Sequence, residues 1–436
     1  MRKLVVSKLI AGAVFAAVIA GQSSGAYAAT AVDIYASTDR GIAYLTTQQQ
    51  ASGAIAGAFG SETDWSIIAA VASGNDPRSF AKDGISLIDF AASKTPGAST
   101  PTTDIERAIL AITAAGEDPS AFGGHDYTAL LLADHDGTQI GDPTLLNDDS
   151  FGLMAIYKLE DPAFTQAAQD ALDYLIANQQ PDGGFAWTTN TSDPYYGTDT
   201  ASTSAAVLAM LAGYSMGLSH PDLDNALATA VAYLLTTQQP DGGFGYNSFG
   251  PSDGSSTAWV LMALNVLRDI EAYQPYIESA QAWLLANQNA DGGFSYGAFG
   301  YTTSDTNTTP QAIIALLGTN WLLDPAAIAR PATPAPTSPA EETAPVVIVP
   351  ASAPQPLPQS ATVVTDTAPV TPVTTTPTTD KAEVQAQQTT ETETDDQPAA
   401  DTDNNPFMQA LGYGLIALAI SGFGAYLLYL RRTPQS

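Results

Sequence analysis

Three aspartates recur in matched settings. Asp199, Asp253 and Asp305 each stand eight residues before an apolar position, Val207, Leu261 and Ile313, on runs rich in small side chains. A carboxyl in such a place either caps a helix through its lone pairs or, if buried and protonated, acts as an acid. Rings gather in the same stretches: Trp187, Tyr195 and Tyr196, then Tyr246 and Phe249, then Tyr296, Phe299 and Tyr301. Tyrosine-rich concave surfaces bind sugars, peptides and apolar rings by stacking and hydroxyl contact. The ligand-binding candidates are therefore Trp187, Tyr195, Tyr196, Asp199, Tyr246, Asp253, Tyr296, Tyr301 and Asp305, with Asp199 the acid if the chain is an enzyme. The plainer readings are helix capping for the aspartates and loop packing for the rings.

Other chemistries lack their parts. There is no cysteine, and the three histidines are His125, His135 and His220. No H-E-x-x-H, G-x-S-x-G or Walker-type loop is present, which removes ordinary hydrolase and nucleotide readings. Asp134-His135-Asp136-Gly137 with Asp142 has some of the look of a calcium loop, but its spacing departs from D-x-D-x-D-G and it lacks the closing Glu. Neither metal nor cofactor is expected.

The elements that must position these residues announce themselves by repetition. An apolar helical run, a Gln and Asp-Gly-Gly-Phe recur at Tyr174 to Phe185, Tyr233 to Phe244 and Trp283 to Phe294, each followed by a polar aromatic loop and a second apolar helix. The repeat residues are Gln179, Gly183, Gly184 and Phe185, then Gln238, Gly242, Gly243 and Phe244, then Gln288, Gly292, Gly293 and Phe294. A unit of this size cannot bury its apolar face alone, so its neighbours must supply the partner surface. Three fainter hairpins precede these, at Gly41 to Gly74, Ile85 to Gly116 and Tyr127 to Leu159. Six hairpins predict an all-α ring of inner and outer helices. Each Gly-Gly is read as the left-handed stop of an outer helix, and each repeat Gln as bonding backbone between the helices of a pair or stacking on the following aromatic. Asp64, Asp104, Asp149, Asp199, Ser255 and Asp305 are read as openers of the inner helices, whose small residues (Ala209, Ala263, Ala315) permit close packing.

Composition gives an address. Residues 1–28 read as a signal peptide, with Arg2, Lys3 and Lys8 before an apolar stretch and Ala26-Tyr27-Ala28 as the cleavage site. The ring occupies 30–330, and 331–406 is a Pro/Thr-rich acidic stalk too poor in apolar residues to fold. Residues 407–430 carry no charge and span a bilayer, and Arg431 and Arg432 hold the short tail 431–436 in the cytoplasm. That topology leaves the ring outside a prokaryotic cell. A formal charge of −31 excludes nucleic acid as a partner.

The unit of apolar helix, Q-x-x-DGGF, aromatic loop and small-residue helix resembles the prenyltransferase and squalene-oxidase repeat of the terpenoid cyclase and prenyltransferase α/α toroid superfamily. The resemblance covers about residues 38–320 and implies the toroid fold. It implies several chemistries, which the residues test one by one. Prenyltransferase β subunits bind zinc through Asp, Cys and His, and thioester domains need a cysteine, so neither site can form here. Class II terpene cyclases protonate an alkene with the middle Asp of D-x-D-D-T-A. Tyr196-Gly197-Thr198-Asp199-Thr200-Ala201 matches only the Asp-Thr-Ala end, with Thr198 in the donor's place. The reading that follows is a membrane-anchored, non-catalytic toroid binding a small molecule, glycan or surface protein. The alternatives are an atypical terpene cyclase-like or polysaccharide-active enzyme, and capture of a vitamin B12-type cofactor.

Overall fold

The computed structural model describes residues 29–57, 60–194 and 196–332. The signal peptide, stalk, spanning segment and Tyr195 lie outside the described residues, among which no helix is long and apolar enough to cross a membrane. Among the described residues twelve α-helices form six successive pairs: α1 Ala31–Thr47 and α2 Glu62–Ala72, α3 Leu87–Ser93 and α4 Thr102–Ala114, α5 Tyr127–Ala133 and α6 Leu146–Leu159, α7 Thr165–Ala177 and α8 Thr200–Met216, α9 Leu223–Thr236 and α10 Gly254–Asn265, α11 Gln274–Ala286 and α12 Thr308–Leu316. The even-numbered helices pack in sequence order, and α12 returns to pack against α2. The ring is closed.

Helix composition explains the two layers. In α10 every residue from Ser256 to Asn265 is buried, and Ala209, Ala263 and Ala315 have no exposed surface, as inner staves require. Outer helices bury one stripe only; in α11 these are Ile277, Ala280, Gln281 and Leu284. The pairing is not that of simple hairpins. Outer helices α7 and α11 touch the inner helices on both sides, and α7, α9 and α11 all pack chiefly on the preceding one. By the same rule α1 lies on α12, so the first helix covers the last.

Two expectations about the repeat are corrected. The outer helices end at Ala177, Thr236 and Ala286, and the Gly-Gly pairs lie beyond them in a tight turn. Gly183, Gly242 and Gly292 have φ of 87°, 92° and 90° there, so they serve the turn and not the helix stop. They also make room for the next repeat. A Cβ on Gly183 would lie 2.5 Å from Thr229 O in α9, and one on Gly292 would lie 2.5 Å from Arg40 O in α1.

Two of the three repeat glutamines, Gln179 and Gln288, bridge between repeats and not within a pair. Gln179 Nε2 donates to Gly183 O (2.8 Å) and across to Ala226 O of α9 (2.9 Å). Gln288 Nε2 donates to Gly292 O (2.7 Å) and across to Ser37 O of α1 (2.9 Å). Gln238 keeps the turn bond to Gly242 O at 3.2 Å. Gln49 is a further copy, donating to Gly53 O (3.0 Å) and Phe80 O (2.9 Å). His135 stands in this role in the third repeat, its Nε2 2.9 Å from Asp170 Oδ2 on α7. Phe185, Phe244 and Phe294 are at most 1% exposed, and their N–H groups donate to Thr203, Thr257 and Thr309, each at 2.9 Å. Truncating such a ring to Ala costs about 3–5 kcal/mol.

Closure yields a test. Gly292→Ala should destabilise the protein as much as Gly183→Ala, by about 2–3 kcal/mol in urea unfolding, because both glycines face a neighbouring helix backbone. Gly217→Ala meets no atom within 4 Å at a φ of 83° and should cost only the conformational part, about 1 kcal/mol. A Gly292→Ala no more costly than Gly217→Ala would mean that the ring is open.

Candidate functional site

At the end of the ring where inner helices begin, the recurring aspartates are helix caps. Asp199, 3% exposed, precedes α8; its Oδ1 accepts from Ser202 N (2.8 Å) and its Oδ2 from Ser202 Oγ (2.7 Å). Asp253 caps α10 through Oδ1 alone, which accepts from Ser256 N at 2.7 Å, and replaces the expected opener Ser255. Asp305 stands two residues ahead of the cap position of α12 and accepts from Asn307 N and Thr308 N. Asp64, Asp104 and Asp149 sit inside the first turns of α2, α4 and α6 and do not cap them.

The starts of α6, α8 and α10 are each clamped by the next repeat's aromatic loop. Thr200 N donates to Tyr246 O (2.9 Å), Gly254 N to Tyr296 O (2.7 Å) and Leu146 N to Trp187 O (3.0 Å). The Asp199 charge, then burial, raises the Tyr246 phenol. Burial, then the charge of Asp253 and a hydrogen bond to it, raises Tyr296. Burial pushes the carboxyls themselves up, Asp199 to about 6 and Asp253 to about 7. The structure thus brings Asp199, Tyr246, Tyr296 and Asp253 into one chain of neighbours. Tyr196 hydrogen-bonds Gln180 Oε1 (2.9 Å), and Tyr301 meets the Tyr296 ring edge-on at 6.4 Å. Thr198 is committed to Asp182 Oδ2 at 2.8 Å. The outward-facing rings are Phe249, Phe299 and Tyr301, at 81%, 47% and 37% exposure.

The barrel axis is filled. Trp65 from α2 and Trp259 from α10 meet Trp321, with ring centroids 4.1 and 5.4 Å from it, and Phe151 from α6 joins them at 5.8 Å from Trp65 and 6.2 Å from Trp259. Trp321 arrives from the segment after α12, which is pinned by Lys158 to Leu322 O (3.3 Å), Tyr35 to Ile328 O (2.7 Å) and Arg330 to Asp39 (2.7 Å). Nothing in the repeat pattern marks Trp321 as an axial residue, because it lies beyond the last hairpin.

A second acidic group lies between α4 and α6. Glu106 is wholly buried with neither carboxyl oxygen hydrogen-bonded, and the missing side chain of Gly152 makes room for it. Asp148 accepts from Asp142 N (2.9 Å) and Asp149 from Ile140 N (3.0 Å), and each leaves its other oxygen unpaired. Desolvation raises all three, Glu106 well above its usual range, Asp148 to about 6 and Asp149 to about 8. Asp134, Asp136 and Asp142 add repulsion, and Arg107 opposes it for Glu106. The sequence signals were an acid inside the apolar run Ile105–Ile112 and tandem acids in a buried first turn. Among the described residues no group of three His, Asp or Glu has metal-binding geometry. Asp136 instead binds the Thr138 and Gln139 N–H groups of its own turn, at 2.7 and 3.0 Å.

Residues 142–329 match the prenyltransferase alpha-alpha toroid domain, which supports a toroid of the prenyltransferase and terpenoid cyclase-like kind. A stretch of 106 residues, 24% of this chain, is 32% identical to a drimenyl diphosphate synthase of Streptomyces showdoensis, and the match spans 18% of that curated relative. An unsaturated glucuronyl hydrolase specific for heparin aligns over 66% of this chain and 97% of its own, at 13% identity and a TM-score of 0.51. A family 88 glycosyl hydrolase from Bacteroides vulgatus aligns over 66% and 98%, at 10% identity and a TM-score of 0.51. A type II terpene cyclase from Scytonema aligns over 66% and 97%, at 14% identity and a TM-score of 0.45. The two hydrolases share the fold, and at such identity the likeness is one of fold alone.

The raised carboxyls set a pH dependence. Above about pH 4 the native state keeps protons that unfolded carboxylates release, on Asp148 and Asp199 until about 6, on Asp253 until about 7 and on Asp149 until about 8, with Glu106 raised in the same direction. Stability should therefore fall as pH rises through that window. The lowered Asp89, Asp118, Asp126 and Asp136 contribute only at and below about pH 4, where their stabilisation is lost on acidification. Thermal melts should show a maximum near pH 4–5, and Glu106→Gln should flatten the decline and raise the melting temperature at pH 8. A melting temperature that climbs from pH 5 to 8 would refute this assignment.

Proposed function

We propose that the toroid is a non-catalytic binding module working at its aromatic rim. Residues 331–406 serve as its stalk, 407–430 as its membrane anchor, 431–436 as a cytoplasmic tail and 1–28 as its export signal. Its ligand is a small molecule, glycan or surface protein. The observation that carries this reading is the occupied axis: Trp65, Phe151, Trp259 and Trp321 stand where a toroid enzyme would need room for substrate. The mouth acids agree with it. Both oxygens of Asp199 are engaged by Ser202, so it is spent as a cap.

A second reading, an acid-catalysed cyclase-like enzyme, is favoured by one feature. Asp149, raised to about 8, is a carboxylic acid at neutral pH two residues from the axial Phe151, and such a group can donate a proton. The matched stretch of the drimenyl diphosphate synthase supports it too.

Product analysis after incubation with farnesyl or geranylgeranyl diphosphate separates the two. The binding-module reading expects no cyclised product, with Asp199→Asn holding stability within about 0.5 kcal/mol because Asn caps as well as Asp. A cyclised product that vanishes in Asp149→Asn would establish the enzyme. Anchoring has its own check: protease on intact cells should release a soluble head by cutting within 331–406, and a head still cell-bound after that cut would contradict the single anchor.

A further inference from the structure

From Leu159 to Ala329 the chain has seventeen aspartates and glutamates and a single lysine or arginine, Arg268. Arg268 follows the C-terminal end of α10 and donates to Ala326 O, away from the rim where α10 begins. Repeats four to six thus bring acids and no lysine or arginine of their own to the rim, and the basic side chain that closure sets beside them, Arg40 of α1, donates to Gln288 Oε1. Asp182, Asp241 and Asp291 are exposed there, each with Oδ1 on a glycine N–H of its own turn, at 2.9, 3.2 and 3.0 Å.

On this acidic rim the protein displays apolar rings. Phe249 is 81% exposed, in a turn that Asn247 Oδ1 holds through Phe249 N (3.0 Å) and Gly250 N (3.1 Å). Phe299 sits at φ 54° and ψ 24° between Gly297 and Gly300, a left-handed conformation unfavourable for a bulky residue, and is half exposed. Burial repays neither placement. Next to the Phe299 loop is a pocket of about 160 Å³ lined by Gly254, Trp283, Asn287, Phe294, Ser295 and Thr302. That is room for one side chain and too little for a typical small-molecule site, which takes roughly 300–1,000 Å³.

Resting on the rim-binding reading, we propose that this rim docks a cationic polypeptide segment. Its lysine or arginine stems lie across Phe249, Phe299 and Tyr301, their charges face the acidic rim, and a neighbouring small side chain enters the pocket. Charge complementarity brings the partner in, and cation–π contact with the exposed rings holds it. The pocket size argues for a peptide over a compact amine.

The test uses the purified full chain and three labelled probes read by fluorescence anisotropy: a nonalysine peptide, a nonaglutamate peptide and a neutral xylo-oligosaccharide. The comparison variant is Phe249→Ser with Phe299→Asn, which alters no charge and puts at 299 a residue tolerant of left-handed φ. The lysine peptide should bind, weaken as salt rises, and lose roughly tenfold in affinity to the double variant, while the glutamate peptide does not bind. Lysine-peptide affinity unchanged in the double variant would overturn the proposal, leaving only a diffuse field. Aromatic-dependent binding of the oligosaccharide without lysine-peptide binding would overturn it too, but would keep the rim as a ligand surface. Binding of none of the probes would remove both.

Discussion

The approach of one glycine to the next helix's backbone sets the geometry of the whole ring. At Gly183 and Gly292 the turn lies so close to the following outer helix that a Cβ would stand 2.5 Å from a carbonyl oxygen. The last of these contacts is made to Arg40, near the start of the described chain, so the step that propagates the array also closes it. Closure fixes how many inner helices surround the axis and therefore how wide that axis can be. It also turns every aromatic loop to the same end. A solenoid of the same repeats would leave its terminal faces needing separate caps; here α1 covers α12.

Within that geometry, acids divide by neighbourhood. Asp199 is buried with both oxygens bonded to the start of the helix it caps, and Asp253 caps through Oδ1. Glu106 is buried against Gly152 with no hydrogen bond, and Asp148 and Asp149 keep one free oxygen each. Unpaired buried oxygens favour the protonated form, because desolvation penalises only the charge. The same residue types are thus structural caps at the rim and neutral acids between α4 and α6. On the proposed reading, the aromatic cluster on the axis leaves the rim, and not a deep tunnel, as the ligand surface.

Much of the fold was legible because the repeat carries its own grammar. Gln179, Gly183 and Phe185, and their copies, declare both the turn and the need for a neighbouring unit, and the fainter hairpins follow by spacing. What the glutamines bond was not legible: their targets, Ala226 and Ser37, lie on the following outer helix, and no local pattern names a partner about fifty residues or more away. Gln49 and His135 were missed for a related reason, since the turns that follow them depart from Asp-Gly-Gly-Phe. The rim aromatics were placed at the right end, but sequence could not separate clamps such as Tyr246 from exposed rings such as Phe249, because exposure depends on the neighbouring loop. Glu106 and Trp321 carry no repeat signature at all. One is a charge tolerated by the absence of a side chain at Gly152, the other a plug delivered from outside the repeat.

The central claim is that the ring is closed around a solid aromatic axis and meets its ligand at the rim. Titrating the purified protein with farnesol while following intrinsic tryptophan fluorescence addresses it most directly, because Trp65, Trp259 and Trp321 are the axial reporters. A solid axis predicts no saturable change in emission. Stoichiometric, saturable quenching by the linear isoprenoid would show that the axis opens to admit a chain, and would contradict the account.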